Sequence, residues 1–217
     1  MGLTVIIDVF RAFSLACYLA DQGAEKIIPV GDIETAYKLK NENPEYILIG
    51  ERNNKMMPGF DFGNSPYQVR NINFTGKTVV HTTSAGTQGI VNASGSDEII
   101  TGSFVNAGAI INYIKKVKPD IVSLVCMGYS ANYPIEEDTF CAEYIKNSLE
   151  EKPSDYNEIV QKIRNTSGKR FFNDDMQDHC PSEDFYLCLD LNRFDFVLKA
   201  IRNEDSLFYL TKHNNFS

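Results

Sequence analysis

A three-layer α/β/α sandwich around a mostly parallel or mixed sheet is the fold class this sequence predicts, and three observations carry it. Short β-branched runs alternate with segments of helical periodicity, the pattern of β-α units. Four of those runs, at residues 3–7, 46–49, 78–81 and 121–126, read as buried strands. Polar clusters stand where these runs end, and in open α/β sheets ligands bind beyond the carboxyl ends of the strands. At 217 residues the chain makes one α/β domain. Two lobes over a shared sheet, 1–75 and 76–217, are the alternative.

Each element follows from local pattern. Residues 3–7 are a strand with nothing before it, expected to be an edge unless further residues precede it. Ala12, Leu15, Ala16, Leu19 and Ala20 recur at helical spacing, and Gly23 stops that helix. Residues 26–30 are a short strand. Asp32 N-caps a helix over about 33–41, which Asn43-Pro44 ends. A strand at 46–49 follows. Residues 51–73 show little periodicity and carry Pro58, Gly59, Gly63 and Pro66, a loop too aromatic to be disordered. Strands are predicted at 77–81 and 98–101, with a helix over 88–93 between them. An amphipathic helix over 106–117 places Ile110, Ile111, Ile114 and Val117 on one face. Residues 121–127 read as the most buried strand. Helices are predicted over 138–149, opened by acidic residues, and over 154–165. Two terminal helices are predicted, at 182–192 and 194–201.

The bulk composition removes several function classes. A formal net charge of −8 argues against nucleic acid as a partner, because phosphate backbones select basic surfaces. It leaves a small anionic substrate open, since an arginine and a divalent cation reverse the sign inside a cleft. No apolar run approaches the roughly 20 residues that cross a bilayer, and no signal peptide is visible, so a cytoplasmic protein without a membrane partner is expected. The five cysteines, Cys17, Cys126, Cys141, Cys180 and Cys188, form no CxxC pair; free thiols are expected and a zinc site is not.

The polar clusters carry the chemistry. Asp8 ends the first strand and Arg11 follows in the turn. A carboxylate there binds Mg²⁺ or attacks phosphorus, while an arginine forks onto a phosphate or carboxylate. The competing reading is an Asp8 N-cap paired with Arg11. Thr82-Thr83-Ser84-Ala85-Gly86-Thr87 follows a strand and opens a helix, an anion cradle of hydroxyls and backbone N–H groups or an ordinary capping turn. Glu137 and Asp138 begin a helix, where the macrodipole alone would favour them. Glu51 and Asp61 lie in the irregular loop, where capping explains less, and Mg²⁺ prefers carboxylate and water oxygens. Asn64-Ser65-Pro66 also reads as a plain turn. His81 reads as structural, and Cys141 as a buried thiol.

Taken together, the clusters resemble the 2-phosphosulfolactate phosphatase family. The residues carrying the resemblance are Asp8-Val9-Phe10-Arg11-Ala12, Gly50-Glu51-Arg52, Gly59-Phe60-Asp61-Phe62-Gly63-Asn64-Ser65-Pro66, 82–87, and Glu137-Asp138-Thr139 with Cys141-Ala142. The resemblance implies an Mg²⁺-dependent phosphoric monoester hydrolase of coenzyme M biosynthesis, acting on a 2-hydroxy-acid phosphate such as (2R)-2-phospho-3-sulfolactate. It implies catalytic roles for Asp8, Arg11, Glu137 and Asp138. Mg²⁺ ligands are expected among Asp8, Glu51, Asp61 and Asp138. Substrate contacts are expected from Arg52, Asn64, Ser65, Thr82, Thr83, Ser84, Gly86 and Thr87, with Arg52 meeting a carboxylate or sulfonate. A phosphatase for another small anionic ester, a non-catalytic anion-binding protein and a homodimer stay open.

Overall fold

In the computed structural model, which describes residues 2–93, 95–129, 131–204 and 206–214, nine strands form one mixed sheet. In chain order they are β1 (Gly2–Ile7), β2 (Lys26–Pro29), β3 (Ile47–Arg52), β4 (Lys55–Met56), β5 (Thr78–Thr82), β6 (Glu98–Gly102), β7 (Ile121–Cys126), β8 (Phe196–Arg202) and β9 (Phe208–Asn214). Their order across the sheet is β4-β3-β5-β2-β9-β8-β6-β1-β7. Two parallel blocks result. β5 pairs with β2 and β3, and β1 pairs with β6 and β7. The antiparallel β8–β9 hairpin joins them, pairing with β6 on one side and β2 on the other.

The helices are α1 (Ala12–Asp21), α2 (Ile33–Glu42), α3 (Pro66–Val69), α4 (Gly86–Asn92), α5 (Ala107–Val117), α6 (Glu136–Leu149), α7 (Tyr156–Asn165) and α8 (Ser182–Cys188), with a 3₁₀ segment at Ser167–Phe172. Asp32 caps α2 as its sequence predicts, accepting the Thr35 N–H at 2.7 Å. Alternation along the strands divides the core. Ile6 of β1 packs with α1, whereas Leu3, Val5 and Ile7 pack with α5 and α6 on the other face. Val79 and Val80 of β5 diverge in the same way, Val80 joining Ala36 of α2. An α/β fold with helices on both faces is therefore what the chain forms.

Three expectations are corrected. Residues 194–201 are not a helix: Phe196, Val197 and Leu198 are fully buried in β8, near the middle of the sheet. A short continuous apolar run does not distinguish a two-sided strand from a buried helix. β7 is not the most buried strand but an edge, with Ile121 67% exposed. β1 is not an edge, since it lies between β6 and β7. The loop expected over 51–73 carries the end of β3, the short strand β4 and α3. All five cysteines are free. Among the described residues no helix is long and apolar enough to cross a membrane.

Candidate active site

The carboxyl ends of β1, β3, β5 and β7 meet in one pocket. It is lined by Asp8 after β1, Glu51 of β3, Thr83 and Ser84 after β5, Gly128 after β7, and Glu137 and Asp138 from the start of α6. Two of its acids tie the loops together. Asp138 accepts the Val9 N–H on one carboxylate oxygen and the Gly128 N–H on the other, both at 2.8 Å. Glu51 accepts the N–H of Ser84 at 2.9 Å and of Asn54 at 2.7 Å. Asp8 accepts the Ala12 N–H at 3.2 Å through Oδ1, and Glu137 keeps a buried Oε2 with no hydrogen-bond partner among the described residues.

These carboxyl groups hold their protons unusually well. Burial pushes Asp8 up to about 7, and the nearby Glu137 and Glu51 add to it against the Ala12 N–H bond. Burial, then Asp8 and Glu137, raises Asp138 well above the carboxylate range. Burial also raises Glu137, opposed by the Arg170 guanidinium. The acids are thus crowded into a buried corner of the pocket, where a cation would relieve their repulsion.

Close packing fixes Asp8 from above. A Cβ on Gly86 would lie 2.7 Å from Asp8 Oδ2 and 2.8 Å from the Ala12 methyl carbon. Gly86→Ala is therefore expected to destabilise the fold by about 1–3 kcal/mol, the usual range for overpacking. Chemical denaturation checks this, and an unchanged midpoint would show that α4 gives way freely.

The structure relocates several expected site residues. Arg11 is not paired with Asp8: its Nη1 donates to Asp184 Oδ2 at 2.9 Å and to the His179 carbonyl at 2.7 Å, although Arg11 still lines the pocket. Arg52 faces away from the pocket and braces the loops, donating to Thr82 Oγ1 at 2.7 Å and to the carbonyls of Gly31 and Glu51. Asp61 lies outside the pocket lining: it accepts the Leu48 N–H at 2.8 Å and lies 3.6 Å from Lys40 Nζ. Ser65 caps α3 and donates to Asp184 at 2.8 Å. Asn64 does line the pocket, with Oδ1 3.2 Å from His81 Nε2. Burial lowers His81 to about 4, so its ring is neutral near pH 7.

Part of the cradle expected over 82–87 is engaged within the fold. The Thr83 N–H donates to Thr87 Oγ1 at 3.1 Å, and the Ser84 N–H is held by Glu51. Thr82 and Thr87 are buried braces, leaving Thr83 and Ser84 on the pocket wall. Cys141 is fully buried and its thiol is pushed up by burial, which suits a structural residue.

Two functional candidates escape a sequence reading. Arg170, in the 3₁₀ segment, lines the pocket with its Nη2 3.7 Å from Glu137 Oε1. Asp184 of α8 is fully buried and gathers Arg11, Ser65 Oγ and the Tyr67 N–H. The only signals are a basic-aromatic Lys169-Arg170-Phe171-Phe172 run and an acid in the first turn of a helix, both ordinary surface patterns.

The family model for 2-phosphosulpholactate phosphatase matches residues 1–203. The chain belongs to this family. A probable 2-phosphosulfolactate phosphatase of Thermotoga petrophila is 40% identical over 142 residues, 65% of this chain and 60% of that protein. The chain thus spans about three-fifths of that relative's length. A Bacillus subtilis protein of the same name is 31% identical over 202 residues, covering 91% of this chain and 86% of the relative. One from Caldicellulosiruptor saccharolyticus is 36% identical over 175 residues, covering 78% and 72%. The family match runs past Arg170 and Asp184, so both residues lie within the matched region.

Proposed function

We propose that this protein is an Mg²⁺-dependent phosphatase that hydrolyses the phosphate monoester of a small 2-hydroxy acid, with 2-phospho-3-sulfolactate as the leading substrate. The observation that carries the reading is the convergence of Asp8, Glu51, Glu137 and Asp138 with Arg11 and Arg170 on one pocket at the strand ends. The names of the relatives support the substrate class. The unpaired cysteines support a reducing, cytoplasmic setting.

The donor set suits a hard cation, but the four-residue set expected from sequence does not form one ligand shell. Among the described residues no group of three His, Cys, Asp or Glu side chains is arranged to hold a metal. Mg²⁺ commonly keeps several waters and takes one or two carboxylates plus substrate oxygens. Asp8 and Glu137 would hold it, because Glu137 Oε2 is buried without a partner among the described residues and the two acids repel each other. The ion supplies charge neutralisation on the transferring phosphoryl group and a lowered pKa for bound water. Asp138 and Glu51 keep the loops in register through their backbone N–H bonds. Arg11, fixed by Asp184, faces the phosphoryl oxygens. Either role of Asp8, cation ligand or nucleophile, requires the anion.

The test is phosphate release from racemic phosphosulfolactate and phospholactate by chelated protein, with and without Mg²⁺. Activity is expected only with the ion. Full turnover after rigorous chelation would remove the cation, and no release from either ester would remove the phosphatase. Mg²⁺ is also expected to raise the melting temperature, more at about pH 8 than at about pH 6, because protons compete for the same carboxyl groups.

A further inference from the structure

We propose that Arg170 binds the substrate's second acidic group, the carboxylate or sulfonate carried beside the phosphate ester. The inference rests on the phosphatase reading and gives the residue that sets its substrate class. Arg52, expected for this role, faces elsewhere. Two guanidinium groups line the pocket, and they differ in how fully the protein neutralises them.

Arg11 is paired with a buried carboxylate. Its Nη1 makes a 2.9 Å ion pair with Asp184, and both side chains are almost completely buried. Arg170 is not matched. Its nearest carboxylate oxygen, on Glu137, lies 3.7 Å away, beyond hydrogen-bond range. Arg170 Nη2 makes one long bond, 3.3 Å, to the Phe10 carbonyl. Its Nε is buried and has no hydrogen-bond partner among the described residues. Native proteins seldom leave a buried donor unpaired, and such groups often mark a place that a ligand completes.

The surroundings hold that guanidinium in place for an anion. Its carbon lies 5.6 Å from the Phe10 ring centre and 5.1 Å from that of Phe171. Those two rings pack edge to face at 4.7 Å. Aromatic walls exclude water and strengthen a charge-assisted hydrogen bond. A planar fork matches the oxygens of a carboxylate or sulfonate, which a lysine ammonium does not. With the phosphoryl group at Asp8 and Arg11, Arg170 supplies a second counter-charge in the same pocket.

The test compares wild type with Arg170→Met and Arg170→Lys on phosphosulfolactate, phospholactate and isopropyl phosphate, the last a secondary monoester with no second acid. In Arg170→Met, kcat/KM for the two acid-bearing esters is expected to fall about 10- to 100-fold further than for isopropyl phosphate, as loss of a charge-assisted bond does. The loss should appear mainly in KM. Arg170→Lys is expected to fall between and serves alone if the methionine variant does not fold. Equal losses on all three esters would overturn the proposal. Calorimetric titration with sulfolactate, which has both acids and no phosphate, reads the subsite without catalysis. Wild type is expected to bind it and Arg170→Met to bind it far more weakly; no binding by wild type, or equal binding, overturns the proposal. A wild type that binds sulfolactate but releases no phosphate keeps the anion subsite and sinks the phosphatase reading instead.

Discussion

Asp8→Asn is expected to lower kcat by roughly 10²- to 10⁴-fold, the range for loss of a positioned charged group at a reacting centre. The fold should survive, because Asn keeps the shape and still accepts the Ala12 N–H that Asp8 holds at 3.2 Å. Stability has a definite pH dependence. The carboxyl of Asp8 is raised from 3.8 to about 7 in the folded chain, first by burial and then by Glu137 and Glu51. Between those values the unfolded chain has lost a proton that the folded chain retains, so Asp8 lowers stability as pH rises through that window. Asn removes this loss. Without metal, the melting temperature of Asp8→Asn should therefore gain on wild type from about pH 4 to about pH 7, and excess Mg²⁺ should restore wild type alone. Near-normal kinetics in a folded Asp8→Asn protein would take this residue out of the chemistry.

Four of the residues legible in the sequence share one property: each sits at the end of an apolar run that becomes a parallel strand. Asp8, Glu51, Thr83 and Ser84 were placed by that rule, and all line the pocket. Arg52 fails it for a reason the sequence contains. Successive side chains of a strand face opposite sides, so residues 51 and 52 of β3 do not both meet one pocket. Asp61 fails because the loop after β4 returns to β3, where Phe62 bridges Ile49 and Asp61 accepts a β3 N–H. Nothing in the spacing of 48 and 61 announces that return.

The C-terminal third is less legible. β8 reads equally as a helix because its apolar residues are contiguous, and only pairing with β6 and β9 decides between them. β7 reads as central because it is rich in β-branched residues, yet among the described strands it pairs with β1 alone. Arg170 and Asp184 act on groups more than 150 residues upstream in the chain, Phe10 and Arg11. Single-sequence periodicity carries no information on contacts at that separation.

Asp184 carries the second large effect. Asp184→Ala is expected to lower the unfolding free energy by about 3–5 kcal/mol, the usual loss when one partner of a buried ion pair is removed. The Arg11 side chain is 3% exposed and that of Asp184 is 0% exposed, so water does not replace the missing carboxylate. Ser65 Oγ and the Tyr67 N–H lose their acceptor at the same time, which loosens the start of α3 against α8. Asp184→Asn should lose less stability, since its amide oxygen can still accept from Ser65 and Tyr67. It should nevertheless impair turnover, because an amide does not hold the Arg11 guanidinium as a carboxylate does. The double variant Arg11→Met with Asp184→Leu separates charge from packing. If the loss in Asp184→Ala comes from a stranded guanidinium, removing both charges should recover much of the stability while abolishing activity. Chemical denaturation of all three variants decides the matter. A double variant no more stable than Asp184→Ala would place the loss in packing around α8 and leave Arg11 without this anchor.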